Sequence, residues 1–189
     1  MTNGDLLRRL LTDVQITSLS ALKQALTTFH DRYSMPHIII SSVPSSQLSD
    51  LAPNQLVCAG SSRPTGSSVS QQFFITFPSL PEHYEGVGDV FSSLVLAHFA
   101  RPASTEASSR LLSQTAELAI ASLQGILMRT REHALKLAKE QGVDDISGTS
   151  PTETPEERIR RLALVELRLV QSWREIKEPN VIYRAQPLT

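Results

Sequence analysis

The chain has 189 residues and a formal net charge of −1, so no overall field draws it towards nucleic acid or an anionic membrane surface. Hydrophobic residues make up 40% and charged residues 20%, which is ordinary for a globular protein and favours a single domain over residues 1–189. The one cysteine, Cys58, excludes an internal disulfide, and the apolar runs are too short to cross a bilayer. We therefore expect a cytoplasmic protein without nucleic-acid or membrane partners.

The first part of the chain predicts one helix followed by three strands. Apolar residues recur at spacings of three and four within 18–30, and the serine that opens this range is a suitable N-cap. The β-branched run 37–40 predicts a strand buried inside a sheet, and the serine-rich stretch 41–49 predicts a loop. Residues 56–60 and 72–77 predict the two strands of a hairpin with a long polar tip.

The middle of the chain predicts two helices. Residues 90–100 are apolar nearly all round, which favours a buried helix. A helical period then runs from about 105 to 141, and Gly142 is a suitable stop. Gly125 lies inside this second helix, where glycine is a poor helix former, so it marks a bend or a close contact.

The C-terminal part predicts two short helices and two strands. Residues 154–157 form a capping box with proline at the first helical position, and 172–175 have the pattern of a second box. Apolar residues alternate with charged ones over 165–169, which predicts a strand, and 181–183 predict a last strand. Strands alternating with helices favour an α/β protein, and the hairpin makes its sheet mixed.

Two glycines and an aspartate in front of an apolar helix form the strongest candidate site. Gly86 and Gly88 allow a close backbone approach to a ligand, and the helix that follows would direct free N–H groups and its positive end at the same place. This arrangement predicts an anion site, with Asp89 as a candidate base. The alternative is a glycine turn in which Asp89 is an ordinary N-cap.

A serine pair forms a second candidate site. Ser41 and Ser42 follow the predicted buried strand, and ligands of open α/β sheets bind at the carboxyl ends of strands. The alternative is plain turn chemistry. The five histidines show no ligand spacing, so the sequence predicts no protein-held metal.

Four motifs resemble those of pyridoxal kinases, which belong to the ribokinase-like family. The first is Gly-Val-Gly-Asp-Val-Phe at 86–91, similar to the family's Gly-Thr-Gly-Asp-Leu-Phe. The strand ending in a serine pair at 38–42 and the helical residues at 116–117 and 127–130 also match. The run Glu-Leu-Arg-Leu-Val-Gln-Ser at 166–172 is the most specific. The resemblance extends from about residue 11 to 188 and corresponds to the C-terminal part of a family member.

The resemblance implies a three-layer αβα ribokinase-like sandwich without its N-terminal part. It implies transfer of the ATP γ-phosphoryl group to the 5′-hydroxyl of pyridoxal, pyridoxine or pyridoxamine, the salvage route to pyridoxal 5′-phosphate, with Mg²⁺ at the phosphates and room for a monovalent cation. Asp89 would be the catalytic base. The remaining implied site residues are the N–H groups of Gly86, Val87 and Gly88 as the anion hole, and Ser41, Ser42, Phe77 and Leu80 at ATP.

The chain departs from the family at one motif position and in its extent. Val87 replaces the threonine between the glycines, which removes a hydroxyl but keeps the backbone N–H. The family's N-terminal half, with its pyridoxal-ring contacts, has no counterpart. Two alternatives therefore stay open: a catalytically inactive, kinase-derived interaction or regulatory module, and another ribokinase-like vitamin or sugar kinase. The sequence also leaves a homodimer open.

Overall fold

The computed structural model describes residues 14–64, 66–100, 111–143, 145–148 and 153–189. The described residues divide into two compact units. The first unit lies within Met1–Ser79, His98–Glu117 and Ile182–Thr189, and the second lies within Leu80–Ala97 and Leu118–Val181. The single domain expected from composition stays a prediction.

The first unit is built on an antiparallel sheet. Its strands, in chain and spatial order, are β1 (His37–Pro44), β2 (Gln55–Ser62), β3 (Gln71–Pro78) and β4 (Gln186–Pro187). The predicted hairpin is confirmed, since β2 pairs with β3 along its whole length. The predicted interior position of the first strand is wrong, because within the described ranges β1 pairs with β2 alone. Its apolar side chains are instead buried in a core shared with a helix.

That helix, α1 (Leu19–Tyr33), covers the apolar residues of the sheet. The predicted N-cap is confirmed, because the Ser18 hydroxyl accepts a hydrogen bond from the Ala21 N–H at 3.1 Å. Leu22 and Leu26 are fully buried one helical turn apart. They belong to one core cluster whose other buried members are Ile16, Ala25, Ile38, Ile40, Val43, Leu48, Val57, Ala59, Phe74 and Leu188.

Burial shifts the pKa of His30 and of Cys58 in this unit. The Nδ1 atom of His30 lies 2.6 Å from the Met35 carbonyl and its Nε2 atom 2.7 Å from the Ser61 hydroxyl. A carbonyl can only accept, so Nδ1–H donates to Met35 and Nε2 accepts from Ser61. Burial lowers the pKa of His30 below its ordinary value, because the charged ring would lose its hydration. Burial also raises the pKa of the Cys58 thiol in β2 to about 12.

The second unit is mainly helical. Its helices are α2 (Val87–Ala100), α3 (Leu112–Gln141), α4 (Pro155–Leu164) and α5 (Trp173–Lys177), and the ends of α2 and α3 continue into residues counted with the first unit. The predicted all-round burial of α2 is wrong, since Phe91 and Leu94 are buried while Leu96 is 69% exposed. Within the described ranges, no helix combines the length and apolar character needed to span a membrane.

The predicted end of α3 is confirmed. Gly142 takes a φ of +68° just after the helix, a conformation that favours glycine. The Val143 N–H then bonds back to the Ala138 carbonyl at 2.9 Å, which closes the last turn. The predicted start of this helix near residue 105 lies outside the described residues, and the described helix begins at Leu112.

In the C-terminal part, the first capping box is confirmed, whereas the second box and both predicted strands are wrong. The capping box at the start of α4 is confirmed, with Thr154 and Glu157 bonded reciprocally. The predicted strand over 165–169 is wrong, because these residues form a turn and an irregular segment. Ser172 precedes α5 without a side-chain cap bond, so the second predicted box is wrong as well. The last strand is β4 rather than 181–183.

Candidate functional site

The glycine turn, residues 85–88, opens directly into α2. Gly86 takes a φ of +77°, in the left-handed region where a side chain would be strained. Its carbonyl accepts the first hydrogen bond of the helix, from the Val90 N–H at 3.0 Å. Gly86 is therefore the residue that precedes the helix, and the N–H groups of the first turn have no partner within the helix.

Asp89 lies in this first turn and is exposed. The alternative reading of Asp89 as the N-cap is wrong, because the residue before the helix is Gly86 and α2 begins at Val87. Among the described residues, the Asp89 carboxylate has no hydrogen bond or ion pair. A carboxylate that is not used for capping, beside the N–H groups of Val87 and Gly88, leaves its oxygens open to solvent or a ligand.

A buried carboxylate holds the segment that leads into the glycine turn. The Glu82 side chain is 3% exposed, and its Oε1 atom accepts a hydrogen bond from Arg131 Nε on α3 at 2.8 Å. Its Oε2 atom accepts one from the Tyr84 hydroxyl at 3.3 Å. Tyr84 is buried too, and burial together with the neighbouring Glu82 charge raises the pKa of its phenol. The turn is thus entered from an anchored segment.

The run 166–172 lies close to the same turn. The Leu167 Cδ1 atom is the nearest group to the place where a Cβ on Gly86 would stand, at 3.9 Å. The next residue is fixed to α3, because the Arg168 N–H donates to the Thr130 hydroxyl at 3.2 Å. The two most informative motifs, at 86–91 and 166–172, are therefore neighbours in the second unit.

A cleft adjoins the turn. It has a volume of about 260 Å³ and is lined by Glu85, Leu162, Val165, Glu166 and Leu167. Two carboxylates on its wall, with three apolar side chains, do not suit an anion, so we do not place the phosphate there. The exposed N–H groups at the start of α2 suit an anion better.

The predicted serine pair lies in a strand rather than a loop. Ser41 and Ser42 are half-buried within β1, at the position where the pairing with β2 shifts register between Ile40 and Val43. An irregularity of this kind in the pairing redirects side chains, as bulges beside functional sites do. The loop predicted from serine content is wrong because the strand continues through the pair to Pro44.

The two residues expected at adenine have different surroundings. Phe77 is buried near the end of β3, with its ring 6.4 Å from that of Tyr183. Leu80 is half-buried just after the strand. Phe77 belongs to the first unit with the serine pair, whereas Leu80 belongs to the second unit with the glycine turn. Their role at ATP stays a prediction.

Sequence reasoning missed the residues that hold the glycine turn in place. Glu82 and Arg131 are 49 residues apart, and Thr130 and Arg168 are 38 apart, so no local pattern could pair them. Glu82 lies in the segment just before the glycine turn, and Thr130 lies in the matched motif at 127–130. The sequence alone shows no hydrogen-bond partner for either residue. Across the described ranges, no group of three or more histidine, cysteine, aspartate or glutamate side chains could hold a metal.

Comparison with known proteins gives a consistent set of relatives. No family model matches the chain. Human pyridoxal kinase is 29% identical over 154 residues, which cover 80% of this chain and 41% of the human protein. Bovine pyridoxal kinase is 27% identical over 169 residues, 88% of this chain and 47% of the bovine protein. The chain thus spans less than half the length of these two relatives.

Solved structures give the same picture for the fold. Pyridoxal kinase from Leishmania donovani in complex with ADP matches 94% of this chain with a TM-score of 0.65 and 21% identity, and the match covers 48% of that protein. The enzyme from Trypanosoma brucei matches 93% of this chain with a TM-score of 0.62 and 20% identity, over 47% of its own length. The chain has a mixed α/β fold like that of these ribokinase-like kinases.

Proposed function

We propose that this chain, which is similar to pyridoxal kinases over most of its length, carries the phosphoryl-transfer part of an ATP-dependent pyridoxal kinase. The observation that carries the proposal is the exposed Asp89 in the first turn of α2, next to the N–H groups that follow Gly86. The dipole of α2 stabilises a carboxylate in this turn, but a bound phosphate would repel it, so a carboxylate beside bound nucleotide requires a chemical role. The similar human and bovine proteins are pyridoxal kinases, so the proposed role of Asp89 is in phosphoryl transfer to pyridoxal.

In the proposed reaction, the 5′-hydroxyl of pyridoxal, pyridoxine or pyridoxamine attacks the γ-phosphorus of ATP. Asp89 accepts the hydroxyl proton as the new oxygen–phosphorus bond forms and ADP leaves. The N–H groups of Gly86, Val87 and Gly88 stabilise the charge on the phosphoryl oxygens, assisted by the dipole of α2. These donors are backbone groups, so Val87 serves as well as threonine for this part of the task.

The nucleotide enters the proposal as Mg-ATP. Mg²⁺ prefers a few carboxylate oxygens together with substrate phosphates, so it needs no cluster of protein ligands. When bound with the nucleotide it would neutralise charge on the phosphates. Ser41 and Ser42 are proposed to contact the phosphates, and Phe77 and Leu80 the adenine side. A monovalent cation near the phosphates stays an expectation.

Two solved structures of a similar enzyme support this substrate pair. The Leishmania donovani enzyme is described in complex with ADP and pyridoxamine, and the match has a TM-score of 0.63 and 22% identity. A third structure of that enzyme contains ADP and pyridoxine. ADP is the nucleotide product of the proposed reaction and the B6 vitamer is its phosphoryl acceptor, so both ligands fit the proposed Asp89 chemistry.

Steady-state kinetics on the complete protein that carries this sequence test the proposal. Asp89→Asn keeps the size of the side chain but removes the base, so kcat for pyridoxal should fall about 10²–10⁴-fold. Affinity for Mg-ADP should not fall, because a negative charge near the phosphates has been removed. Glu85→Gln is the matched control, since Glu85 is an exposed carboxylate in the same turn. Near-normal kcat for Asp89→Asn would remove Asp89 from the mechanism.

One observation favours the second candidate, a catalytically inactive interaction or regulatory module. Val87 lacks the hydroxyl that the family has between its glycines. An inactive module would still fold and could still bind nucleotide. It would transfer no phosphoryl group from Mg-ATP to pyridoxal, pyridoxine or pyridoxamine, whereas the kinase would phosphorylate at least one of them.

A further inference from the structure

We infer that Glu82 and Arg131, with Tyr84, are positioning residues that hold the glycine turn in its anion-binding shape. The Glu82 carboxylate lies at the centre of this group, and both of its oxygens accept hydrogen bonds, one from Arg131 and one from Tyr84. A carboxylate that is 3% exposed requires such partners, because an unpaired buried charge is strongly destabilising.

The anchor acts on the turn through a short piece of chain. Glu82 is four residues before Gly86, so the turn lies within roughly 14 Å of chain from the anchored carboxylate. Gly86 itself is exposed and has no side chain, so it cannot be fixed by packing of its own. Its shape therefore depends on the segments before and after it.

Two consecutive residues of α3 hold two different segments beside the turn. Arg131 binds Glu82 on the segment that enters the turn, and Thr130 binds the Arg168 backbone next to Leu167. Because both contacts start from one turn of one helix, they fix the two segments relative to each other. The glycine turn follows the first segment in the chain and lies close to the second, since Leu167 Cδ1 would stand 3.9 Å from a Cβ on Gly86.

The inference rests on the proposed function, because the turn needs a fixed shape only if its N–H groups bind a phosphoryl group. Backbone N–H groups stabilise a phosphoryl transition state only when they are already aimed at it, and a displacement of about 1 Å can cost about 10²-fold in rate. An exposed glycine turn without an anchor would sample other conformations. The ion pair to α3 supplies the rigidity that the glycines lack.

A matched pair of double variants tests the inference in the absence of ligand. Glu82→Ala with Arg131→Ala removes the anchor without leaving a buried charge unpaired. Arg129→Ala with Glu175→Ala removes a second arginine–glutamate pair, which joins α3 to α5 at 2.5 Å. Amide hydrogen exchange of Val90, whose N–H bonds to the Gly86 carbonyl at 3.0 Å, should rise about tenfold or more in the first variant and stay within about twofold of wild type in the second.

The exchange result decides the inference by itself. Equal acceleration of the Val90 amide in both variants, or no acceleration in the first, would overturn it, because the anchor would then contribute only general stability or nothing. Titration with Mg-ADP adds a separate readout, in which the first variant should bind at least about tenfold more weakly than the control variant. A wild-type protein that binds no Mg-ADP would contradict the proposed function and leave the exchange test of the anchor intact.

Discussion

The hydroxyl of Thr130 accepts a hydrogen bond from the backbone N–H of Arg168, 38 residues further along the chain, at 3.2 Å. The same hydroxyl donates to the Ile126 carbonyl at 2.8 Å, one turn earlier in α3. Thr130 is fully buried, so its one oxygen both donates and accepts away from solvent. The Thr130 side chain thus gives the 166–172 run a backbone hydrogen bond of the kind that a neighbouring strand supplies in a sheet.

Thr130→Val should destabilise the second unit by about 1–3 kcal/mol, because the isosteric side chain leaves the Arg168 N–H without its acceptor. Thr130→Ser keeps the hydroxyl and is the matched control, with only the loss of a methyl group. Urea unfolding followed by circular dichroism measures both. Equal stability of the valine and wild-type proteins would mean that the Arg168 N–H finds another partner.

Alanine at the two glycines of the turn should have opposite effects. Gly86 has a φ of +77°, so Gly86→Ala should cost about 1–2 kcal/mol in backbone strain. Gly88 lies in the first turn of α2 with nothing within 4 Å of a Cβ, so Gly88→Ala should stabilise by about 0.5–1 kcal/mol. Thermal unfolding of the two variants compares them directly. The same sign for both would contradict the assignment of strain to Gly86.

Gly125→Ala should fail to stabilise α3, although alanine is the better helix former by about 1 kcal/mol. A Cβ at this position would stand 2.8–2.9 Å from the Glu175 side chain, which lies across the helix and binds Arg129. The combined variant Gly125→Ala with Glu175→Ala removes the obstruction and should recover the gain. Urea unfolding of the single and double variants measures this, and a stabilised single variant would show that Glu175 moves aside freely.

The stability of the first unit should fall as pH decreases below about 6.5, the ordinary histidine value. Burial lowers the pKa of His30 in the folded state, so the unfolded chain takes up a proton in this range before the folded chain does. Of the neighbouring charges, Arg63 and His37 act in the same direction as burial, and Asp31 opposes it.

The stabilisation is fully present above 6.5 and is lost as pH falls towards the folded pKa, with a slope of at most about 1.4 kcal/mol per pH unit for one group. Urea unfolding between pH 5 and 8 measures the slope in wild type and in His30→Gln. We expect the variant to be less stable at neutral pH, because glutamine cannot reproduce both ring hydrogen bonds. An unchanged slope in the variant would assign the pH dependence to other groups.

Local patterns predicted the elements that local physics determines. The N-cap at Ser18, the hairpin of β2 and β3, the box at Thr154 and the stop at Gly142 each follow from a few adjacent residues. The glycine turn before α2 belongs to the same class, because glycine readily adopts the positive φ that Gly86 has.

Two wrong predictions and one omission share a physical cause, contact with a distant part of α3. Residues 165–169 alternate like a strand, but their backbone is bonded to Thr130 rather than to a sheet. The predicted box at Ser172 needs the Glu175 carboxylate, and Arg129 binds that carboxylate instead. The anchor between Glu82 and Arg131 was missed for the same reason. Periodicity and capping rules contain no information on which side chain of a remote helix competes for a local group.

The burial of Cys58 makes the rate of thiol labelling a measure of how often the sheet opens. Its thiol is the one cysteine of the sequence, it is fully buried in β2 between β1 and β3, and its pKa of about 12 keeps it protonated. Alkylating reagents attack the thiolate, so they can react only when the strand opens to solvent. The rate of labelling therefore reports how often the sheet opens. A nucleotide that slows labelling would do so by stabilising the strands around Cys58, which lie well before the glycine turn in the sequence.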